Sequence, residues 1–272
     1  MWNVAETTPD FRQEEPTDSN RLVGSDRVLA VLAELARHPA GIGLDALART
    51  IDSPKPTVHR ALAALRRAGF ASQEGHGTYV LGDEFLRLAF TNHDGRPEHL
   101  RVLPVLEALA DQFHETAHYA VLDGRAVVYR AKVDPSGGAI KLTSVIGGRN
   151  PAHCTAVGKM LLSYALPDDA AVRSWVDDGP ALERRTVNTH VDADSLAREI
   201  GAVRVQGYAT EEQENEVGIS CLAVPIFMTG SAAPTGAISI SALDYRTPLR
   251  SLVDRLPAIK ALVASLSQRA AS

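Results

Sequence analysis

The chain of 272 residues is poor in cysteine, with only Cys154 and Cys221, too few for a disulfide framework and suited to a reducing compartment. It has no run approaching the roughly 18 consecutive apolar residues of a membrane-spanning helix. Its opening, MWNVAETTPDFRQEEPTDSN, lacks the basic-then-apolar order of a secretory signal. These absences lead us to expect a cytoplasmic protein with no membrane partner. The chain also lacks an excess of positive charge, and a net charge of −5 argues against indiscriminate adhesion to nucleic acid.

What is there is unevenly distributed. Residues 1–20 carry Glu6, Asp10, Glu14, Glu15 and Asp18 against Arg12 alone, and with their Pro, Thr and Ser content they read as a disordered acidic tail. Between Arg21 and Gly82 the balance reverses: eight bases face five acids, a net charge of +3. With 45% hydrophobic and 22% charged residues, the rest is an ordinary globular composition, large enough for two domains.

The basic segment has its own pattern. In SDRVLAVLAELARHPAG, Val28, Val31, Leu32 and Leu35 recur at helical spacing until Pro39 and Gly41 stop the run. GLDALARTI repeats the period through Leu44, Leu47, Ala48 and Ile51, and the break DSPKP leads into PTVHRALAALRRAG. This third helix is buried through Val58, Ala61, Leu62 and Leu65 and is capped by Gly69 in a left-handed conformation. Two short helices joined by a tight turn make a helix-turn-helix. On a wheel, Pro56, Arg60, Ala63 and Arg67 face outward, flanked by Thr57 and His59, as a major-groove helix requires. The residues assigned to double-stranded DNA are Ser53, Lys55, Thr57, His59, Arg60, Arg66 and Arg67, the last two toward phosphates. FASQ and TYVL around EGHG read as a hairpin wing. The alternative is a small structural domain with solvated arginines.

From Asp83 to about Phe113 the chain reads as helix, broken where Gly95 and Pro97 fall. The apolar FLRLAF needs a covering surface, and the same segment of a second subunit would supply the two-fold symmetry of a palindromic site. Strand-like AHYAVLD, AVVYRAKV and IKLTSVI follow, then helical TAVGKMLLSYAL and SLAREIGAVRVQG. Strands ISCLAVPIF and GAISISALD and a final helix from about Pro248 complete the pattern, an α+β domain with an antiparallel sheet.

FHETAHYAVLDG contains His-Glu-x-x-His, the helical spacing of a zinc hydrolase, with His114 and His118 as ligands and Glu115 as base. However, Asp123-Gly124 is a hairpin signal that puts His118 on a strand and leaves His114 at a helix end. No further His or Glu follows at a zincin distance. A hydrolase using this run, or a thiol enzyme using His153 and Cys154, is the rival reading. The preferred one has no catalytic residues, cofactor or metal.

The ordered motifs LDALARTIDSPKPTVHRALAALRRAGFA, GTYVLG, PAHCTAVGKMLLS, GYATEEQENEVGISCLAVPIF and GAISIS resemble those of the IclR family of bacterial transcriptional regulators over nearly all the chain beyond the acidic tail. The resemblance implies a winged helix-turn-helix over 21–82, a dimerising linker helix over 83–101, and a GAF- or profilin-like effector-binding domain over 102–272. It implies a homodimer or dimer of dimers on a palindromic operator, probed by a small organic acid. Pro56 departs from the family's small hydroxyl residue, which removes one contact and leaves the first helical turn intact. By the same resemblance, amides of Ala156 and Val157 hold the effector carboxylate, Ala156 and Gly158 allow close approach, and Glu211, Cys221, Ser239 and Ser241 form the opposite wall. A helix N-terminus binds anions in this way without a lysine. Leu142, Val145, Ile146 and Ile219 are expected as an apolar floor. Glu211 stands where the family usually has aspartate, and beside an anion it must be protonated or bond a ligand hydroxyl. Cys154 and Cys221 are expected near the pocket as small buried hydrophobes.

Overall fold

A computed structural model describes residues 24–75, 77–94, 97–136, 142–227, 231 and 233–269; the acidic segment 1–20 lies outside them. The chain divides into two compact units, residues 1–95 and 96–272.

In the first unit, α1 (Gly24–Arg37), α2 (Leu44–Thr50) and α3 (Lys55–Arg67) pack around Val31, Leu35, Leu47, Val58 and Leu62. These are the positions that the helical period assigns to the buried faces. Pro54 caps α3, and Gly69, at φ +77°, ends it in the left-handed region that costs glycine little. The wing is the hairpin of β2 (Ala71–Glu74) and β3 (Thr78–Leu81), joined on its free side by the two-residue β1 (Ile42–Gly43) in the order β1-β3-β2. β1 was not foreseen, because two residues are too short to show a period. α4 (Asp83–Asp94) leaves Leu86, Leu88 and Phe90 exposed.

The second unit is built on a six-stranded, wholly antiparallel sheet. Its strands are β4 (Thr116–Asp123), β5 (Ala126–Val133), β6 (Arg149–Pro151), β7 (Ala209–Glu212), β8 (Ile219–Ile226) and β9 (Gly236–Leu243), in the order β6-β5-β4-β9-β8-β7. α5 (Pro97–Phe113), α9 (Leu249–Asp254) and α10 (Leu256–Arg269) cover one face, where Tyr119, Leu222, Ile238 and Ile240 meet Leu106 and Leu109. α6 (Ala156–Ala165), α7 (Asp169–Asp177) and α8 (Ala193–Gln206) cover the other, over Ala120, Ala223 and Ala237. Strand alternation therefore gives the central strand β9 two buried faces, with isoleucines toward one helical layer and Ser239 and Ser241 toward the other.

Three expectations need correction. IKLTSVI does not form a strand: residues 140 and 141 lie outside the described residues, and 142–146 is bend and turn. Two of its carbonyls, those of Leu142 and Ser144, accept from the Lys132 ammonium at 2.9 Å each and so are drawn out of any ladder, while Gly147 at φ +82° turns the chain back to pair as β6. The final helix is two, because the Pro257 ring excludes the carbonyl four residues earlier and α9 ends at Asp254. α7 and β7 were not anticipated. Among the described residues no helix is long and apolar enough to cross a membrane.

Each unit has its own core, and this separation is testable. Leu106→Ala removes a side chain with no exposed surface and is expected to cost about 2–5 kcal/mol. Hydrogen exchange should quicken accordingly at the amides of β4 and β9, with those of α1 to α3 unchanged.

Candidate functional site

On α3 the arrangement of charge follows the wheel. Lys55, Pro56, His59, Arg60, Arg66 and Arg67 are exposed, and Thr57 and Ser53 are half-buried. Two of these are already engaged. The Ser53 hydroxyl accepts from Arg27 Nε at 3.2 Å, and the Lys55 ammonium pairs with Asp45 at 2.8 Å. Both members of the second pair are well exposed, so it holds the lysine only weakly and a phosphate can replace the carboxylate.

In the second unit a cavity of about 210 Å³ lies between the sheet and the N-terminus of α6. Register explains its wall. Glu211 pairs with Cys221, Cys221 with Ser241, and Ser239 with His118, so side chains of one strand face form a continuous polar surface on β7, β8, β9 and β4. Facing them are Thr155, Ala156 and Val157. Thr155 caps α6 and its hydroxyl accepts from Gly158 N at 3.2 Å. The amides of Ala156 and Val157 fall in the first turn, where a helix has no acceptor for them. Leu142, Val145 and Ile219 add apolar surface, and Tyr129, Thr143, Ser144, Gly148, Arg149, Asn150, Arg185, Asn215 and Glu216 complete the lining.

Burial moves the ionisable groups of this wall toward their neutral forms. Desolvation pushes the Glu211 carboxyl up to about 7, against the backbone bonds that lower it. One of its oxygens accepts the amides of Glu214 and Asn215, at 2.5 and 3.1 Å, so Glu211 also ties the turn after β7. Burial drives the His118 imidazole down to about 3 and the Cys221 thiol well above its usual value. Behind the cavity the Lys159 ammonium, with no exposed surface, bonds Glu199 at 2.7 Å and Glu214 at 2.5 Å. Its burial works against the charge, but the two carboxylates prevail and hold it raised. That ion pair joins α6 to α8 and to the turn that Glu211 ties.

The structure brings together Ala156, Val157, Glu211, Cys221, Ser239, Ser241, Leu142 and Ile219 as cavity lining. It does not include Ile146, which sits half exposed in the turn before Gly147, because residues 142–146 are not a strand. Gly158 has a different role from the expected one: a Cβ there would stand 2.2 Å from the carbonyl oxygen of Ala152, so glycine is needed for packing against the short helical turn Ala152–Cys154. Cys154 lies fully buried outside the lining, its thiol pushed up to about 12 by burial. His153 bonds the carbonyl of Glu183 at 3.0 Å.

The His-Glu-x-x-His residues take three separate roles. His114 ends α5 with φ +56°, Glu115 is held by Arg246 at 2.5 Å and Thr247 at 2.7 Å, and His118 lines the cavity. Sequence reasoning weighed His118 only as a metal ligand and missed it as a wall residue. Its signal was a polar side chain on the buried face of a β-strand, the same one that Ser239 and Ser241 give. Thr155, Tyr129, Asn150, Arg185 and Asn215 were missed as well.

A three-helix head with a wing, and a separate domain holding a cavity between its sheet and a helix N-terminus, are the two parts on which the comparisons bear. Residues 25–75 match the IclR helix-turn-helix domain, and residues 99–268 match the bacterial transcriptional regulator IclR C-terminal domain. The chain belongs to the IclR family of bacterial transcriptional regulators, which are not enzymes. It is 31% identical to the Pca regulon regulatory protein of Pseudomonas putida over 82% of this chain and 75% of that one. It is 29% identical to the DNA-binding transcriptional repressor YiaJ of Escherichia coli (strain K12), over 84% of this chain and 80% of that one. An IclR homolog from Microbacterium hydrocarbonoxydans, solved in complex with 4-hydroxybenzoate, shares the fold with a TM-score of 0.73 at 20% identity, over 90% of this chain and all of that one.

Glu211 makes stability depend on pH in a definite direction. Its folded value of about 7 lies above the unfolded value of 4.5, so its contribution is complete below about 4.5 and is lost as pH rises through 7. Glu211→Gln keeps the oxygen that ties Glu214 and Asn215. Denaturation midpoints should therefore show wild type losing about 2–3 kcal/mol relative to this variant between pH 5 and about pH 8. A constant difference would show that the carboxyl is ionised throughout.

Proposed function

We propose that this regulator is a repressor working in the cytoplasm, and that a small organic acid in the cavity of the C-terminal unit controls its hold on a palindromic operator. The observation that carries this reading is the pairing of two unpartnered α6 amides with a wall of uncharged donors. Such a site, with Arg149 and Arg185 also in its lining, attracts an anion. The volume suits a carboxylate with a modest apolar or aromatic body, with Leu142, Val145 and Ile219 against the body. The 4-hydroxybenzoate in the Microbacterium hydrocarbonoxydans homolog supports that class, and the repressor YiaJ supports the sign of regulation.

On the DNA side, Arg60, His59, Thr57 and Lys55 would read base edges from the N-terminal half of α3, with Ser53, Arg66 and Arg67 toward phosphates. The exposed Leu86, Leu88 and Phe90 of α4 would pack against those of a second copy, and further pairing would give a dimer of dimers. The effector shifts the spacing of the paired heads only by the difference in its affinity for the two arrangements.

A mobility shift with the DNA upstream of the chain's own gene tests the reading. Arg60→Ala should weaken binding about 10-fold or more, equivalent to the 1–3 kcal/mol of a base contact. Arg67→Ala should weaken all duplexes alike and lower the salt dependence by about one ion. Full-strength retention by Arg60→Ala would remove α3 from the interface. A thermal-shift panel of small carboxylates, repeated on Ser239→Ala, addresses the effector: stabilisation in wild type and its loss in the variant are expected.

A further inference from the structure

Four side chains of the cavity are joined end to end. The Cys221 thiol donates to Ser241 Oγ at 3.2 Å. Ser241 Oγ stands 3.3 Å from His118 Nδ1, and His118 Nε2 stands 2.7 Å from Ser144 Oγ. The chain of contacts crosses β8, β9 and β4 and ends in the loop at the cavity mouth. With Ser241 Oγ accepting from the thiol and giving its own hydrogen to Nδ1, the single proton of a neutral imidazole sits on Nε2, facing Ser144. The ring is buried and neutral at ordinary pH, so protonating one nitrogen leaves the other bare. In the empty cavity the contacts consequently have a direction, from Cys221 toward Ser144.

An oxyanion in the cavity accepts and never donates. When Ser241, which lines it, turns its hydrogen to such a ligand, Nδ1 loses its donor and is left as an unsatisfied buried group. The contacts are restored if the ring carries its proton on Nδ1, donating to Ser241 Oγ, while the Ser144 hydroxyl donates to Nε2. The Nε2 proton passes through the hydroxyl of the partly exposed Ser144 to water, Nδ1 takes a proton from water in the cavity through Ser241 Oγ, and the charge of the ring is unchanged. Every hydrogen along the line then points toward the anion, which aligned dipoles favour.

We propose that Cys221, Ser241, His118 and Ser144 form a reversible hydrogen-bond relay whose direction records whether an oxyanion fills the cavity, with His118 as the positioning residue that passes this record to the loop 142–148. The proposal rests on the reading of the cavity as the effector site. It also makes the site selective: a ligand that donates to Ser241, such as an amide or ammonium, leaves the relay in its empty-state direction. The Lys132 ammonium holds the Leu142 and Ser144 carbonyls in either state, so the loop backbone stays in place while the Ser144 hydroxyl changes from acceptor to donor.

Nitrogen NMR of the full chain labelled in histidine, with His118→Asn to identify the resonances, reads the ring directly. In the free protein Nε2 should be protonated and Nδ1 bare. Ser144→Ala removes the acceptor of Nε2 and should move the free protein to the opposite pattern, whereas Ser174→Ala, exposed on α7, should leave it as in wild type. Sodium formate, added until the amide signals of Ala156 and Val157 saturate, should invert the wild-type pattern. A free protein with Nδ1 protonated, a ring unmoved by Ser144→Ala, or formate that saturates those amides without inverting the ring would each overturn the relay. Formate that moves no amide counts against the effector site itself, and the Ser144→Ala and Ser174→Ala spectra still decide the relay.

Discussion

The C-terminal unit depends on a helix end held in place without being satisfied. Thr155 takes the Gly158 amide, Gly158 lets the first turn settle on the Ala152 carbonyl, and Lys159 pins the helix from behind through Glu199 and Glu214. Of these residues Thr155 also lines the cavity. Ala156 and Val157, in the first turn of α6, line the cavity, where a helix end carries a partial positive charge.

The rest of the cavity follows from the need to keep that charge available. Glu211, Cys221 and His118 are all ionisable, and the same burial that makes the wall compact moves each toward its neutral form. An ionised glutamate only accepts hydrogen bonds, whereas a neutral one can also donate one. One oxygen of Glu211 reaches back to the Glu214 and Asn215 amides. This cavity residue is thus tied to the turn that carries Glu214, and through Lys159 to α6.

Much of this was legible as periodicity. The three helices of the first unit, the wing, and the strands β4, β5, β8 and β9 each carry an apolar repeat long enough to identify them. The short elements were not legible: β1 has two residues and β7 four, and pairing rather than pattern creates them. IKLTSVI had the composition of a strand and lost it to Lys132, a residue in the preceding strand whose ammonium takes two of its carbonyls. The His-Glu-x-x-His run shows the same limit from the other side, since identical spacing on a helix and across a helix-to-strand junction aims the side chains in unrelated directions.

By itself the sequence determined which faces would be buried, where the helices of the DNA-reading head begin and end, and that two serines share one side of a strand, because each is a consequence of chain-local geometry. Only the tertiary structure decided that His118 belongs to the cavity, that Ile146 does not, and that Gly158 serves packing. These outcomes depend on strand register and on contacts between residues distant in the chain, such as His118 with Ser241 and Lys159 with Glu214, which no local repeat encodes.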